Sequence, residues 1–228
     1  MKTAKKSLLL ILCAIALVAA SVMGTIAYLS DSDSVTNTFA GAKLMDGDFL
    51  LQEHVATRTG ANNTYTLSTD PTDANDYQVV PGVNLPKDPW VEFKLAEQAY
   101  LFLEVDDTLT YEAKVTGTEG AVTVDPAQSV TWELETIWKP LMKDGQQVKH
   151  GENPIYYCVA DNESGIMNVG AHNHGIIAED TVKVGNNFNT DNLADKAHLS
   201  FVGYLFQSSG FADVNAAWDA AVVQFKLA

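Results

Sequence analysis

Disulfides are the first thing this chain lacks. Of its two cysteines, Cys13 lies inside an apolar N-terminal run, so Cys158 stands alone in the body and has no internal partner. A single thiol among Ile155, Tyr156, Tyr157 and Val159 reads as a small buried hydrophobe, and a thiol in such surroundings resists becoming the reactive thiolate. Positive charge is scarce as well: 14 basic side chains stand against 29 acidic ones, a net charge of -15. Residues 1–27 hold three of those lysines and no acid, so the remainder carries about -18. Such a surface repels phosphate backbones and anionic lipid heads, which excludes nucleic acid as a partner. Catalytic signatures are missing too. There is no His-Glu-x-x-His, no Gly-x-Ser-x-Gly and no glycine loop placed to cradle a phosphate after a strand, so no residue is assigned to catalysis. Proline is sparse and 46% of residues are apolar, which excludes a chain disordered by composition.

What is present begins with a leader. Lys2, Lys5 and Lys6 form a positive start, and Ser7 to Val22 is a nearly unbroken apolar run. Small residues follow, with Thr25 and Ala27 at the -3 and -1 positions of a cut before Tyr28. The run approaches the length of a membrane span, but acids (Asp31 and Asp33) follow it instead of a basic stop. The expectation is a signal peptide over residues 1–27, a secreted product and no stable membrane anchor after cleavage.

The residues around the cut carry a resemblance. Gly24-Thr25, Ala27-Tyr28, the acidic Ser-rich stretch with Asp31 and Asp33, then Asn37-Thr38-Phe39 and Gly41 fall in the order seen in exported proteins processed by the signal peptidase SipW. The pattern continues past the cut, where ordinary signals carry none. This start resembles the TasA and camelysin group, secreted β-rich proteins of the biofilm matrix. Further landmarks are the stretch from Val80 to Phe93 with Pro81-Gly82 and Lys87-Asp88-Pro89, the strand from Tyr100 to Asp107, and the segment from Val202 to Ala220 ending in Ala-Trp. Residues 45–79 match no landmark of that group. The resemblance implies a SipW-like peptidase as processing partner, a place outside the cell, and copies of itself or related matrix subunits as partners.

Through the body, apolar residues recur with period two. Val91, Phe93 and Leu95 alternate with Glu92 and Lys94; Val130, Trp132 and Leu134 do the same, as do Val182 and Val184 about Lys183, and Val223, Phe225 and Leu227 near the end. These predict half-buried strands, while the denser stretches Tyr100–Val105, Ile155–Val159 and Leu199–Phe206 suit central ones. Turn signals at Pro81-Gly82, Asp144-Gly145 and Gly185-Asn186-Asn187 separate them. The predicted fold is all-β, an antiparallel jelly-roll-like sandwich over residues 45–228, following an extended segment at 28–44. One helix interrupts the pattern: Phe211, Val214, Trp218 and Ala221 fall at helical spacing, with Ser208 or Ser209 as a cap and the end of the sandwich to cover.

Ligand signals are thin. His172 and His174 in a Gly/Asn-rich stretch predict a solvated loop, and no metal site is assigned. Asp70, Asp73, Asn75 and Asp76 offer hard oxygens without the EF-hand spacing, so calcium is the one weak cofactor candidate. The expected function is a secreted, non-catalytic structural protein of the extracellular matrix that assembles into fibres or decorates them. Val35 and Phe39 are its expected assembly anchors, because residues four apart in an extended chain share a face. The first alternative is a surface-binding module, an adhesin or glycan binder using Trp90, Trp138 and Tyr77, although core packing suits each of these as well. A camelysin-like metal-dependent peptidase is a lesser one.

Overall fold

Val91, Phe93 and Leu95 are buried while Glu92 and Lys94 between them are exposed, so the alternation in the sequence becomes a strand with one face on a core. The computed structural model describes residues 30–34, 49–59, 64–116, 121–194 and 196–227. Its strands are β1 (Ser30–Ser34), β2 (Leu50–Thr59), β3 (Thr64–Thr72), β4 (Leu85–Pro86), β5 (Trp90–Leu95) and β6 (Ala99–Asp107). There follow β7 (Lys114–Thr116), β8 (Val122–Val124), β9 (Val130–Thr131), β10 (Trp138–Pro140), β11 (Met142–Lys143) and β12 (Gln146–Gln147). The last are β13 (Lys149–His150), β14 (Asn153–Cys158), β15 (Ile166–Met167), β16 (Gly170–Gly175), β17 (Thr181–Val184) and β18 (Leu199–Gln207), before helix α1 (Val214–Phe225).

Two antiparallel sheets face one another. One runs β1-β18-β6-β14-β10 and the other β16-β5-β2-β3, with a small sheet β4-β17-β9 beside them. Leu101, Leu103, Phe201 and Leu205 from the first sheet join Leu51, Val91 and Phe93 from the second in one apolar cluster. The chain is therefore an all-β sandwich, as the periodicity predicts. Gly203 of β18 is needed where the layers meet: a Cβ there would stand 2.7 Å from the Phe49 ring.

Strands β6 and β18 are buried on both faces because a second apolar layer covers them from outside. Tyr100, Phe102, Tyr204 and Phe206 point away from the sandwich and pack on Ala217, Trp218 and Ala221 of α1. The helix thus lies over the outer face of a sheet, not over the end of the sandwich. Its cap is Asp213, whose carboxylate accepts from the Ala216 N–H at 2.9 Å, and not Ser208 or Ser209.

Three local expectations fail for physical reasons. The expected last strand, with Val223, Phe225 and Leu227, is the end of α1 and its C-terminal turn, and Val223 is 71% exposed. Five alternating residues cannot outweigh a helix already running through Ala216, Ala217, Ala220 and Ala221, which stops only where Lys226 turns left-handed (φ 57°). Of Val130 to Leu134, only Val130–Thr131 forms a strand, while Leu134 makes an isolated bridge to Ile177. His172 and His174 lie on β16, not in a loop.

Cys158 is fully buried on β14, and burial pushes its thiol up to about 11. The thiol that the sequence reads as a core residue is one.

Candidate functional site

The segment between β3 and β4 is a strap laid across the second sheet, and side chains tie it down. Where the β2–β3 register shifts between His54 and Ala56, the Asn75 side chain takes the place of the ladder. Its oxygen accepts from the Ala56 N–H at 2.7 Å and its amide donates to the His54 carbonyl at 2.8 Å. The Tyr77 hydroxyl donates to the Pro86 carbonyl at 2.6 Å, and the Tyr65 hydroxyl accepts from the Gln78 N–H at 2.7 Å. Burial, with the negative charge of Glu53 and Asp88 nearby, pushes the Tyr77 hydroxyl above its ordinary pKa.

Adjacent residues on β2 meet adjacent residues just after β4. Lys87 Nζ donates to Glu53 Oε2 at 2.9 Å, with side chains 8% and 0% exposed. Among the described residues Glu53 Oε1 has no hydrogen-bond partner, and the Lys87 ammonium stands 5.8 Å from the Tyr77 ring centroid. One residue further along each chain, His54 Nδ1 lies 2.5 Å from Asp88 Oδ2 and its ring packs on Trp90 at 4.6 Å. Successive strand residues point to opposite faces, so one pair is internal and the other half-exposed. Asp180, next to this group, has its carboxyl raised by burial and by Asp88 and Glu135.

Beside the strap is a cavity of about 670 Å³, bounded on the other side by residues 190–194 and 196–199. Leu85, Leu109, Val182 and Leu199 are buried residues of its wall, and Lys87 reaches it as well. Its exposed charges are Asp76 on the strap and Lys196 and His198 on the opposite segment. His198 is engaged: its Nε2 lies 3.1 Å from Asp106 Oδ2 and its Nδ1 3.0 Å from the Thr108 hydroxyl.

Thr25, Ala27, Tyr28, Val35 and Phe39 lie outside the described residues. Ser30–Ser34, between them, pairs antiparallel with β18, Ser30 opposite Phe206 and Ser34 opposite Val202, and forms the outermost strand of the first sheet. Of the three aromatic candidates, Trp138 is buried with its indole N–H on the Gly175 carbonyl at 2.9 Å. Trp90 is half-buried against His54, and only Tyr77 reaches the cavity. His172 and His174 share a face of β16, with ring centroids 5.5 Å apart and His172 stacked on Phe93 at 4.9 Å. Among the described residues no group of three or more His, Cys, Asp or Glu side chains is placed to hold a metal ion, Asp70, Asp73 and Asp76 included. A further buried carboxylate, Glu104, is fully engaged by Tyr204, His150 and Asn153.

Burial holds the half-buried His174 below the usual 6.5, with the neighbouring His172 adding to the effect. An unfolded histidine takes up its proton near 6.5, while the folded one resists until lower pH. The contribution is therefore complete above 6.5 and is lost as the pH falls from there through the folded value. His198 works the other way. Its hydrogen bond to Asp106 raises its pKa, so its contribution is complete below 6.5 and fades as the pH rises through the folded value. That pair is about half exposed, so solvent screening leaves it only a few tenths of a kcal/mol. A His174→Gln variant should lose less thermal stability than the parent between neutral pH and pH about 5. An unchanged acid slope in a pH series of melting midpoints would contradict this.

Comparison with family models, with curated proteins and with solved structures finds no match to this chain.

Proposed function

We propose that the protein is a secreted, non-catalytic structural protein of the extracellular matrix, released by a SipW-like signal peptidase and joined to further copies through the segment after the cut. The observation that supports this reading is the position of β1. Ser30 follows Ala27 by three residues, and Ser30–Ser34 lies at the sheet edge, paired with β18. A strand at an edge holds one neighbour and can be exchanged for the same strand of another copy at little cost, since the backbone pairs broken and formed are alike. Val35 and Phe39, just beyond it, are apolar side chains able to anchor such an exchange in a neighbour. Exchange passed from copy to copy builds an open filament.

Burying a valine or phenylalanine side chain contributes about 1.5–3 kcal/mol. Replacing both anchors by serine should weaken each contact by about two or more powers of ten in affinity. Electron microscopy of the cleaved protein is expected to show filaments, and the Val35→Ser, Phe39→Ser variant a folded monomer. Filaments from that variant would refute the anchor assignment. An unfolded variant would mean that Val35 and Phe39 stabilise their own subunit and do not serve as anchors in a neighbour.

A further inference from the structure

We propose that the cavity between the strap and the facing residues 190–194 and 196–199 binds a short apolar peptide with free termini, a ligand of di- or tripeptide size. The proposal rests on the cavity alone and is independent of whether the protein polymerises.

Size comes first. At about 670 Å³ the space falls within the range of small-molecule sites, roughly 300–1,000 Å³, and exceeds what isolated waters need. Its walls come from the sandwich core: Leu85 and Val182 belong to the paired strands β4 and β17, and Leu109 and Leu199 flank the end of β6 and the start of β18. These side chains are 1–8% exposed, so this part of the wall is preformed, and the apolar surface it offers stands beside the polar side chains of Asn75, Gln78 and Thr190.

Charge narrows the class. Among the described residues, four ionisable side chains with ready charges reach the cavity, and two are already matched: Lys87 by Glu53 and His198 by Asp106. The other two, Asp76 and Lys196, have no ion-pair partner among the described residues. They have opposite signs and sit on opposite boundaries, one on the strap and one on the facing segment. A simple anion would be served by Lys196 and repelled by Asp76, and by the -15 charge of the whole chain. A neutral apolar ligand would leave both charges unused. A peptide with an ammonium at one end, a carboxylate at the other and aliphatic side chains between them matches both charges and the wall. Its length also separates its termini, which a single amino acid does not.

The backbone beside each of these charged residues is anchored. Asp76 follows Asn75, whose amide is bound twice to β2, and precedes Tyr77, anchored on Pro86. Lys196 sits in the left-handed region (φ 61°), two residues before His198, which is tied to Thr108 through both its backbone and its ring.

The test is calorimetric titration of the full chain with leucyl-leucine, its N-acetyl form and its C-terminal amide. The free dipeptide is expected to bind one-to-one, and blocking either terminus to weaken it about tenfold, the scale of one charge-assisted hydrogen bond. Lys196→Ala should bind the acid and the amide equally, and Asp76→Ala should no longer distinguish the free from the acetylated amine. Ala194→Trp, which fills the cavity from an exposed position, should abolish binding without changing the melting midpoint. Absence of leucyl-leucine binding to the parent protein would overturn the proposal. Equal binding of all three forms would overturn it too, as would tighter binding of decanoate or undiminished binding to Ala194→Trp.

Discussion

Lys87→Met should destabilise the fold by about 3–5 kcal/mol, because it strands a buried carboxylate. Glu53 is completely buried, Lys87 is its one ionic partner among the described residues, and one of its oxygens is already without a hydrogen bond. Removing the ammonium leaves a charge in an apolar interior with neither counter-ion nor solvent. Removing both charges should be far milder. A Lys87→Met, Glu53→Leu double variant replaces the pair by apolar side chains of similar bulk, and such replacements are often neutral or stabilising. Denaturant unfolding of the two single variants and the double measures the coupling directly. A loss below about 1 kcal/mol for Lys87→Met would mean that water or a rearranged neighbour solvates Glu53, and the pair would then not be what holds the segment after β4 to β2.

That pair also marks the limit of what the sequence discloses. The strands β5, β6 and β18 are legible from residues alone: alternation at Val91–Leu95, and dense apolar stretches at Tyr100–Val105 and Leu199–Phe206 that turn out to be covered on both faces. The helix is legible through Val214, Trp218 and Ala221, which recur at helical spacing. Glu53 and Lys87 are not. Each is a charged residue in or beside a strand, which in a linear reading belongs to the wet face, and only the meeting of segments 34 residues apart buries them together. The one local hint is that acid-then-base at Glu53-His54 complements base-then-acid at Lys87-Asp88. The cavity is less legible still, since its two sides are the strap and a segment more than a hundred residues later. His172 and His174 were hidden by their glycine and asparagine neighbours. Backbone pairing with Val91 to Leu95 holds them in a strand that their own propensity disfavours.

Trp218→Ala should cost about 3–5 kcal/mol, comparable to the loss of the buried ion pair but by a different route. Trp218 is 3% exposed and sits at the centre of the outer apolar layer, with ring centroids 5.1 Å from Phe102 and 5.7 Å from Tyr204. Its neighbours on the same helical face, Ala217 and Ala221, are too small to fill the space it would vacate, so a cavity would remain beneath α1. The loss falls on a layer that the facing sheet does not touch. Phe102 and Tyr204 point outward, whereas Leu101, Leu103 and Leu205 on the same two strands point into the sandwich. Val223→Ala on the same helix is the control, because a side chain 71% exposed should change stability by less than about 0.5 kcal/mol. If Trp218→Ala unfolds in one cooperative transition at lower denaturant, helix and sandwich fold as one unit. If stability falls by less than about 1 kcal/mol, the helix is an appendage, and the outward aromatics of β6 and β18 draw little of their burial from it.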